Sequence, residues 1–536
     1  MSPISHAKMI TLSRTSPRSV VIATTALAAI AATPWASASD QSAALDAAVA
    51  TITAGELREH AALLADDTLE GRAAGSRGGR AAGRYIETQL QRAGMKPAGD
   101  GGAFVQRFNP GYQNLLAQIS GIDPALRHET ILVGAHYDHV GYGSRRNSNG
   151  PIGYIHNGAD DNASGVATLL EMIDALTRTG WQPRRTILFA FWDGEEINLL
   201  GSRHWVRQPT VPLKDVRLAV NIDMIGRMTG GRLEVAGTRT AAGLRKVFSS
   251  PRLPADKWID FTWQYEENSD HWPFYEASIP SMLIHTGLHK DYHRPSDDIE
   301  KLNIAGMREA TAYLLDVVCR AADADALSPF RPAARSENAS TRRQRETALA
   351  PLTPRLGLRW DWQEADGEPR MIVSRVTPGG AADKAGLLTG DRFTTVDGAP
   401  ILEESLLPAA VLRAPTEVSV EIIRGDGEPQ TVRVPLAGTP TELGISWRED
   451  AAAPGAVYVT RVVPYSPADR AGIALYDRIY ALDGEPFADQ DALLERVRKR
   501  LAEESAMQFE VETRGRIRTV NVDLNLPTTP AEDPSL

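Results

Sequence analysis

Cysteine is nearly missing from this chain: Cys319 is the only one in 536 residues, so no internal disulfide can form. It falls in the apolar helical pattern Tyr313–Cys319, which predicts a small buried core residue rather than a reactive thiol. An excess of positive charge is also missing. With 58 Lys and Arg against 68 Asp and Glu, the formal net charge is −10, and a nucleic-acid partner has no electrostatic support. Beyond residue 38 no stretch is long and apolar enough to cross a bilayer. Ala163-Ser164-Gly165 lacks the Gly-x-Ser-x-Gly context of a nucleophile elbow.

What is present begins with a removable leader. Lys8, Arg14 and Arg18 form a basic region, Val20 to Ala32 a short apolar one, and Ala36-Ser37-Ala38 fits small-x-small cleavage. Residues 1–38 therefore read as a signal peptide. The expected protein is exported, periplasmic or secreted, with no stable transmembrane segment after processing. The length calls for roughly two to four domains, and the 42% hydrophobic content is that of a globular chain.

Residues 56–98 read as helix, loop, helix. From about Asn114 to Leu315, strand-like and helical patterns alternate. Strands are expected at Ile131–Gly134, Thr186–Trp192, Ala219–Ile222, Arg232–Ala236 and Ser281–His285. Val166, Leu169, Leu170, Ile173 and Leu176 mark one buried helical face. The fold class is α/β, a mixed and mostly parallel sheet with helices on both faces. Residues 323–350 keep no apolar period and read as a linker.

Ligands gather where parallel strands end, and the chemistry-bearing residues follow the apolar runs. His136-Tyr137-Asp138 closes one run. Gly158-Ala159-Asp160-Asp161-Asn162 precedes the helical face, Glu195-Glu196 follow Thr186–Trp192, Asp223 ends Leu218–Ile222, and His293 lies shortly after His285. Each motif alone has a bland reading: Asp160 as a helix N-cap, Glu195-Glu196 as a solvated turn. Together they form a candidate metal-assisted hydrolytic site. Two divalent cations would balance Asp161, Glu196, Asp223 and a hydroxide, and mixed imidazole and carboxylate donors suit zinc, with cobalt or manganese as alternatives.

This set resembles peptidase family M28, the co-catalytic dizinc aminopeptidases, over about residues 56–320. The resemblance implies a zinc-exopeptidase fold and peptide substrates. It implies Asp161 bridging two metals, His136 and Asp223 completing one site, and Glu196 and His293 the other. Glu195 would be the general base and Tyr292 an oxyanion donor. Asp138 and Asp270 would support the ligands from behind, and the Asp161–Asn162 peptide would be cis. Arg227 is a weaker candidate for a substrate carboxylate, with simple pairing to an acid as the alternative. His139, His156, His204, His285 and His289 are read as non-ligands. Glutaminyl cyclases, which use one zinc and do not hydrolyse, share much of this motif set and stay open as a rival; so does a non-catalytic binding protein.

Beyond residue 350 the chain repeats itself. Thr377 to Gly386 parallels Val463 to Gly472, and Val396-Asp397-Gly398 parallels Leu482-Asp483-Gly484, each at an offset of 86 residues. Arg355-Leu356-Gly357-Leu358 and Glu442-Leu443-Gly444-Ile445 open the copies. Both resemble PDZ domains, with Tyr476 standing where a glycine is usual. The resemblance implies peptide C-termini as partners, for capture or regulation. The expected limits are 39–322 for the peptidase domain, 323–350 for the linker, 351–437 and 439–526 for the PDZ copies, and 527–536 for a tail.

Overall fold

The computed structural model describes residues 38–109, 111–365, 368–503 and 506–525. The expected signal peptide, but for its last residue, and the expected tail lie outside them.

Nine strands build one mixed sheet: β1 (Lys96–Pro97), β2 (Val105–Phe108), β3 (Tyr112–Ile119), β4 (Thr130–His136), β5 (Thr186–Trp192), β6 (Val216–Ile222), β7 (Arg232–Ala236), β8 (Trp258–Thr262) and β9 (Ser281–His285). Their order is β1-β3-β5-β4-β6-β9-β7-β8, with β2 paired to β3. The centre, β5-β4-β6-β9, is parallel. β7 joins β9 antiparallel and β8 joins β7 parallel. Every residue of β4 and β5 is buried, which is why both read as continuous apolar runs.

Alternation along these strands assigns the two faces. Ile131, Val133, Ala135, Ile187 and Phe189 join the core beneath the helices Ala54–Leu64, Gly165–Thr179 and Ile304–Asp323, which pack on one another. Leu132, Leu188 and Ala190 point the other way, into a second cluster with Trp205 and Phe274 from two short helices. The sheet is covered on both faces. At Gly134 a Cβ would meet Trp192 Nε1 at 2.5 Å, so the strand needs a glycine there.

The segment 323–350 differs from its reading as a bare linker. Pro332–Ser336 makes a short 3-10 helix and Ala339–Arg345 an α-helix, capped by Asn338, whose side chain accepts from the Ser340 and Thr341 amides. Charge pairing holds this segment, not an apolar stripe, so no hydrophobic period announces it. Glu337 takes Arg331 at 2.6 and 2.7 Å and Arg239 at 2.6 and 3.0 Å.

Each PDZ copy is a six-stranded sheet with the same strand order and helix placement. The register repeats as well: Met371 pairs with Phe393 and Val457 with Ile479. Tyr476 adopts φ +71°, the left-handed conformation that Gly390 takes in the first copy at φ +93°. The second copy docks on the domain of the nine-stranded sheet. Arg245 of that domain donates to the buried Glu512 at 2.8 and 3.1 Å, and the Ile259 and Ser250 amides donate to the carbonyls of Arg514 and Gly515. Among the described residues no helix is long and apolar enough to cross a membrane.

Candidate metal centre and active site

The parallel strands deliver their residues to one crevice at their carboxyl ends. His136 is the last residue of β4, Asp223 the first after β6, Glu195 and Glu196 sit in the turn after β5, and Tyr292 and His293 lie in the loop after β9. Asp161 arrives from the loop before the helix Gly165–Thr179, and the Asp161–Asn162 peptide is cis. Asn162 holds this corner: its Nδ2 donates to the Ile222 carbonyl at 2.9 Å, and its Oδ1 accepts from the Gly165 and Met224 amides.

Asp161 divides its two oxygens. Oδ1 lies 3.3 Å from His136 Nε2, which is also 3.3 Å from Asp223 Oδ1. Oδ2 lies 3.1 Å from His293 Nε2, which is 3.2 Å from Glu196 Oε2. Two donor groups result: His136, Glu195 and Asp223 on one side; His139, Asp161, Glu196 and His293 on the other, with the donor atoms of each group within 4.8 Å of one another. Buried imidazoles and carboxylates packed this closely, with His139 Nε2 and Asp138 Oδ2 buried and lacking hydrogen-bond partners, fit divalent cations.

Electrostatics follow from that crowding. Burial would lower His136, but Glu195, Asp223 and Asp161 outweigh it and hold its imidazole well above its ordinary range. Burial likewise opposes His293, yet Asp161 and Glu196 raise it to about 10. Burial would raise Asp161, and the histidines around it push it well below the usual carboxylate range. Glu195 goes the other way: burial lifts its carboxyl, opposed by His136 and assisted by Glu196, Asp270 and Asp223.

Supporting residues surround this set. Asp138 Oδ1 accepts the Glu195 amide at 3.1 Å and lies 3.8 Å from His136 Nδ1. Asp223 Oδ2 accepts from Ser269 Oγ at 2.6 Å, and Ser269 accepts from Asn221 Nδ2. Asp270, raised by burial to about 7, takes Ser202 Oγ at 2.5 Å. Asp297 Oδ2 accepts the amides of both Asp160 and Asp161 and so fixes the Asp161 backbone. The sequence gives no period or motif that would single out Asp297.

Three readings change. Arg227 is turned to Asp291 (2.8 Å), Asp297 (3.4 Å) and the Lys301 carbonyl and is absent from the lining of the cavity described below, which favours the pairing alternative. Asp160 does not cap the helix; its Oδ1 accepts the Gly226 amide at 2.6 Å. His139, taken for a bystander, reaches Glu196 Oε1 at 2.8 Å. β4 ends at His136, and His139 sits beyond it in an isolated parallel bridge to Ala73, so strand alternation does not set where its ring points. A Cβ at Gly158 would meet His139 Cδ2 at 2.5 Å, so that glycine makes room for the ring, and nothing in the residue spacing announces the approach.

Beside Glu195 and Asp223 opens a cavity of about 390 Å³, with Tyr292 on one side and Glu234, Thr262, Gln264 and His285 on another. His285 faces Glu234 at 3.5 Å and is not drawn into the donor groups.

The motifs read above match three family models, one for peptidase family M28 over residues 114–318 and two for the PDZ domain, over 372–424 and 441–524. The chain carries an M28 peptidase domain followed by two PDZ domains. Leupeptin-inactivating enzyme 1 of Streptomyces exfoliatus is 28% identical over 231 residues, 43% of this chain and 47% of that protein. A probable leucine aminopeptidase of Arthroderma benhamiae is 31% identical over 203 residues, 36% of this chain and 54% of that protein. The chain thus spans about half the length of the curated relatives it matches. The solved aminopeptidase from Aneurinibacillus sp. strain AM-1 aligns over 54% of this chain and 98% of its own, at 15% identity and TM-score 0.42. The M28 match covers every donor residue of the crevice.

Proposed function

We propose that the chain is an exported dizinc aminopeptidase that removes N-terminal residues from peptides, with the PDZ copies serving peptide capture or regulation. The observation that carries this reading is the division of Asp161 between two donor groups, with Glu195 beside the cavity. Two zinc ions, held by His136 and Asp223, by Glu196 and His293, and by Asp161 between them, would supply Lewis acidity and an acidified water. His139 stands within reach of the second group. The domain limits proposed are those read from the sequence, 39–322, 351–437 and 439–526.

Glu195 takes the proton of the attacking water and returns it to the leaving amine. Its amide is pinned to Asp138, so the carboxylate is aimed before substrate arrives. Tyr292 stacks on His293 with ring centroids 3.9 Å apart and borders the cavity. Burial and the nearby carboxylates push its phenol up, which keeps the hydroxyl protonated and able to donate to the developing oxyanion. The further carboxylates that line the cavity, Glu195, Glu234 and Glu266, favour a free α-amine over a blocked one.

Hydrolysis of aminoacyl and N-blocked aminoacyl anilides, with and without chelator, tests the reading. Free substrates are expected to turn over and chelator to stop them; equal cleavage of blocked substrates would overturn it. Two zinc ions per chain, with no cyclisation of N-terminal glutamine, separate it from a cyclase. Fractionation of the producing cells tests export.

A further inference from the structure

We propose that Arg239 is a positioning residue for the substrate cavity, and that through it the second PDZ domain braces the cavity wall from behind. The proposal rests on the reading that the cavity beside Glu195 receives the N-terminal residue of the substrate.

Arg239 follows β7 and is 8% exposed. Its guanidinium takes three partners from three parts of the chain. Nη1 and Nη2 donate to Asp450 of the second PDZ domain at 2.5 and 2.9 Å. Nε and Nη2 donate to Glu337 of the connecting segment at 2.6 and 3.0 Å. Its Cζ lies 3.7 Å from the ring centroid of the buried Trp263. Forked pairing to two carboxylates leaves a guanidinium little freedom, and a stacked ring beneath it is held with it.

Trp263 connects the clamp to the cavity. It lies between Thr262 and Gln264, and both, with Tyr265, line the cavity that Glu195 and Asp223 border. Trp263 itself is absent from that lining and, with Arg239 and Glu337, lines a small hollow behind the wall. The segment thus shows one face to the substrate cavity and the other to Arg239. Asp450 is fixed in turn: its Oδ1 accepts the Ala452 amide at 3.0 Å, and the Gly243 amide donates to the Ala452 carbonyl. A plain interdomain clamp would add stability only. This one ends on the ring behind the cavity wall, so loosening it lets Thr262 and Gln264 move.

Asp450→Asn isolates the clamp, because Arg245–Glu512 and the backbone bonds at Ile259 and Ser250 still dock the domain. The expected result is a KM for aminoacyl anilides raised about tenfold, the scale of one weakened charged hydrogen-bonded pair, with kcat and bound zinc unchanged. Asp450→Glu, which keeps the charge, is expected to stay near wild type. Emission of Trp263, obtained as the difference from Trp263→Phe in each background, is expected to shift in Asp450→Asn. That optical readout does not need an active enzyme, so it tests the clamp even if the wild type hydrolyses nothing and the aminopeptidase reading falls. Unchanged KM and unchanged Trp263 emission in a folded Asp450→Asn protein would overturn the proposal, as would a lowered melting temperature with both of them unmoved.

Discussion

The backbone N–H of Glu195 donates to Asp138 Oδ1 at 3.1 Å, while the Asp138 carbonyl lies 3.2 Å from His136 Nδ1. One residue therefore ties the end of β4 to the turn after β5 and orients both an imidazole donor and the proposed base. Asp138→Ala keeps that carbonyl but removes the carboxylate that holds the Glu195 amide and lies 3.8 Å from His136 Nδ1; it is expected to lower kcat and to weaken zinc binding by about 10-fold, the low end of the effect of losing a partner behind a metal ligand. Zinc titration and steady-state kinetics measure the two effects. Wild-type values for both would remove Asp138 from the positioning role.

Glu195→Gln keeps the shape of the side chain and removes its basicity. Turnover is expected to fall by about 10²- to 10⁴-fold, the range for loss of a general base, while metal content stays at the wild-type level. Normal turnover by this variant would exclude Glu195 as the base.

Removal of metal tests the centre from another side. With no cation, Asp161, Glu195, Glu196 and Asp223 share one crevice, countered by its histidines and by the buried Arg72 guanidinium near Asp161 and Glu196. Exhaustive chelation is expected to abolish activity and lower the melting temperature, and two equivalents of zinc to restore both. Full recovery at one equivalent would leave a single-ion enzyme.

The Arg239 clamp gives stability a pH dependence. Burial alone would raise Glu337 and Asp450, but Arg331 and Arg239 outweigh it, and both carboxyls sit at about 2, below their ordinary 4.5 and 3.8. Because the folded values are depressed, the stabilisation is complete above the ordinary carboxylate range and fades as pH falls from about 4 to about 2. Melting temperature recorded over that interval should fall less steeply in Asp450→Asn than in the wild type.

Cys319 is 1% exposed, and burial raises its thiol well above the usual range. A disulfide reagent is expected to find no reactive thiol in the native protein and one per chain in denaturant. Rapid native labelling would contradict the packing of the helix Ile304–Asp323.

Much of the architecture is legible in the residues because it rests on local periods. β4 and β5 are buried on both faces and so appear as unbroken apolar runs, and the helix Gly165–Thr179 declares its packed side through Val166, Leu169, Leu170, Ile173 and Leu176. The internal repeat is visible for the same reason: turn and core positions recur at one spacing, down to the left-handed residues Gly390 and Tyr476. Elements held by charge left no such trace. The helix Ala339–Arg345 and the Glu337 cluster were invisible because ion pairs have no period, and β8 was missed because Trp258–Thr262 alternates too briefly to stand out.

The sequence by itself determined the α/β class, the internal repeat and the donor set apart from His139, since hydrophobic periodicity and motif order are properties of the chain alone. Only the tertiary structure decided which of those groups meet. It drew His139 to Glu196, turned Arg227 to Asp291, placed Asp297 behind Asp161 and set Asp450 against Arg239. These partners come from different elements, and where a side chain points after a strand ends depends on the packing of the whole sheet rather than on the spacing of neighbours.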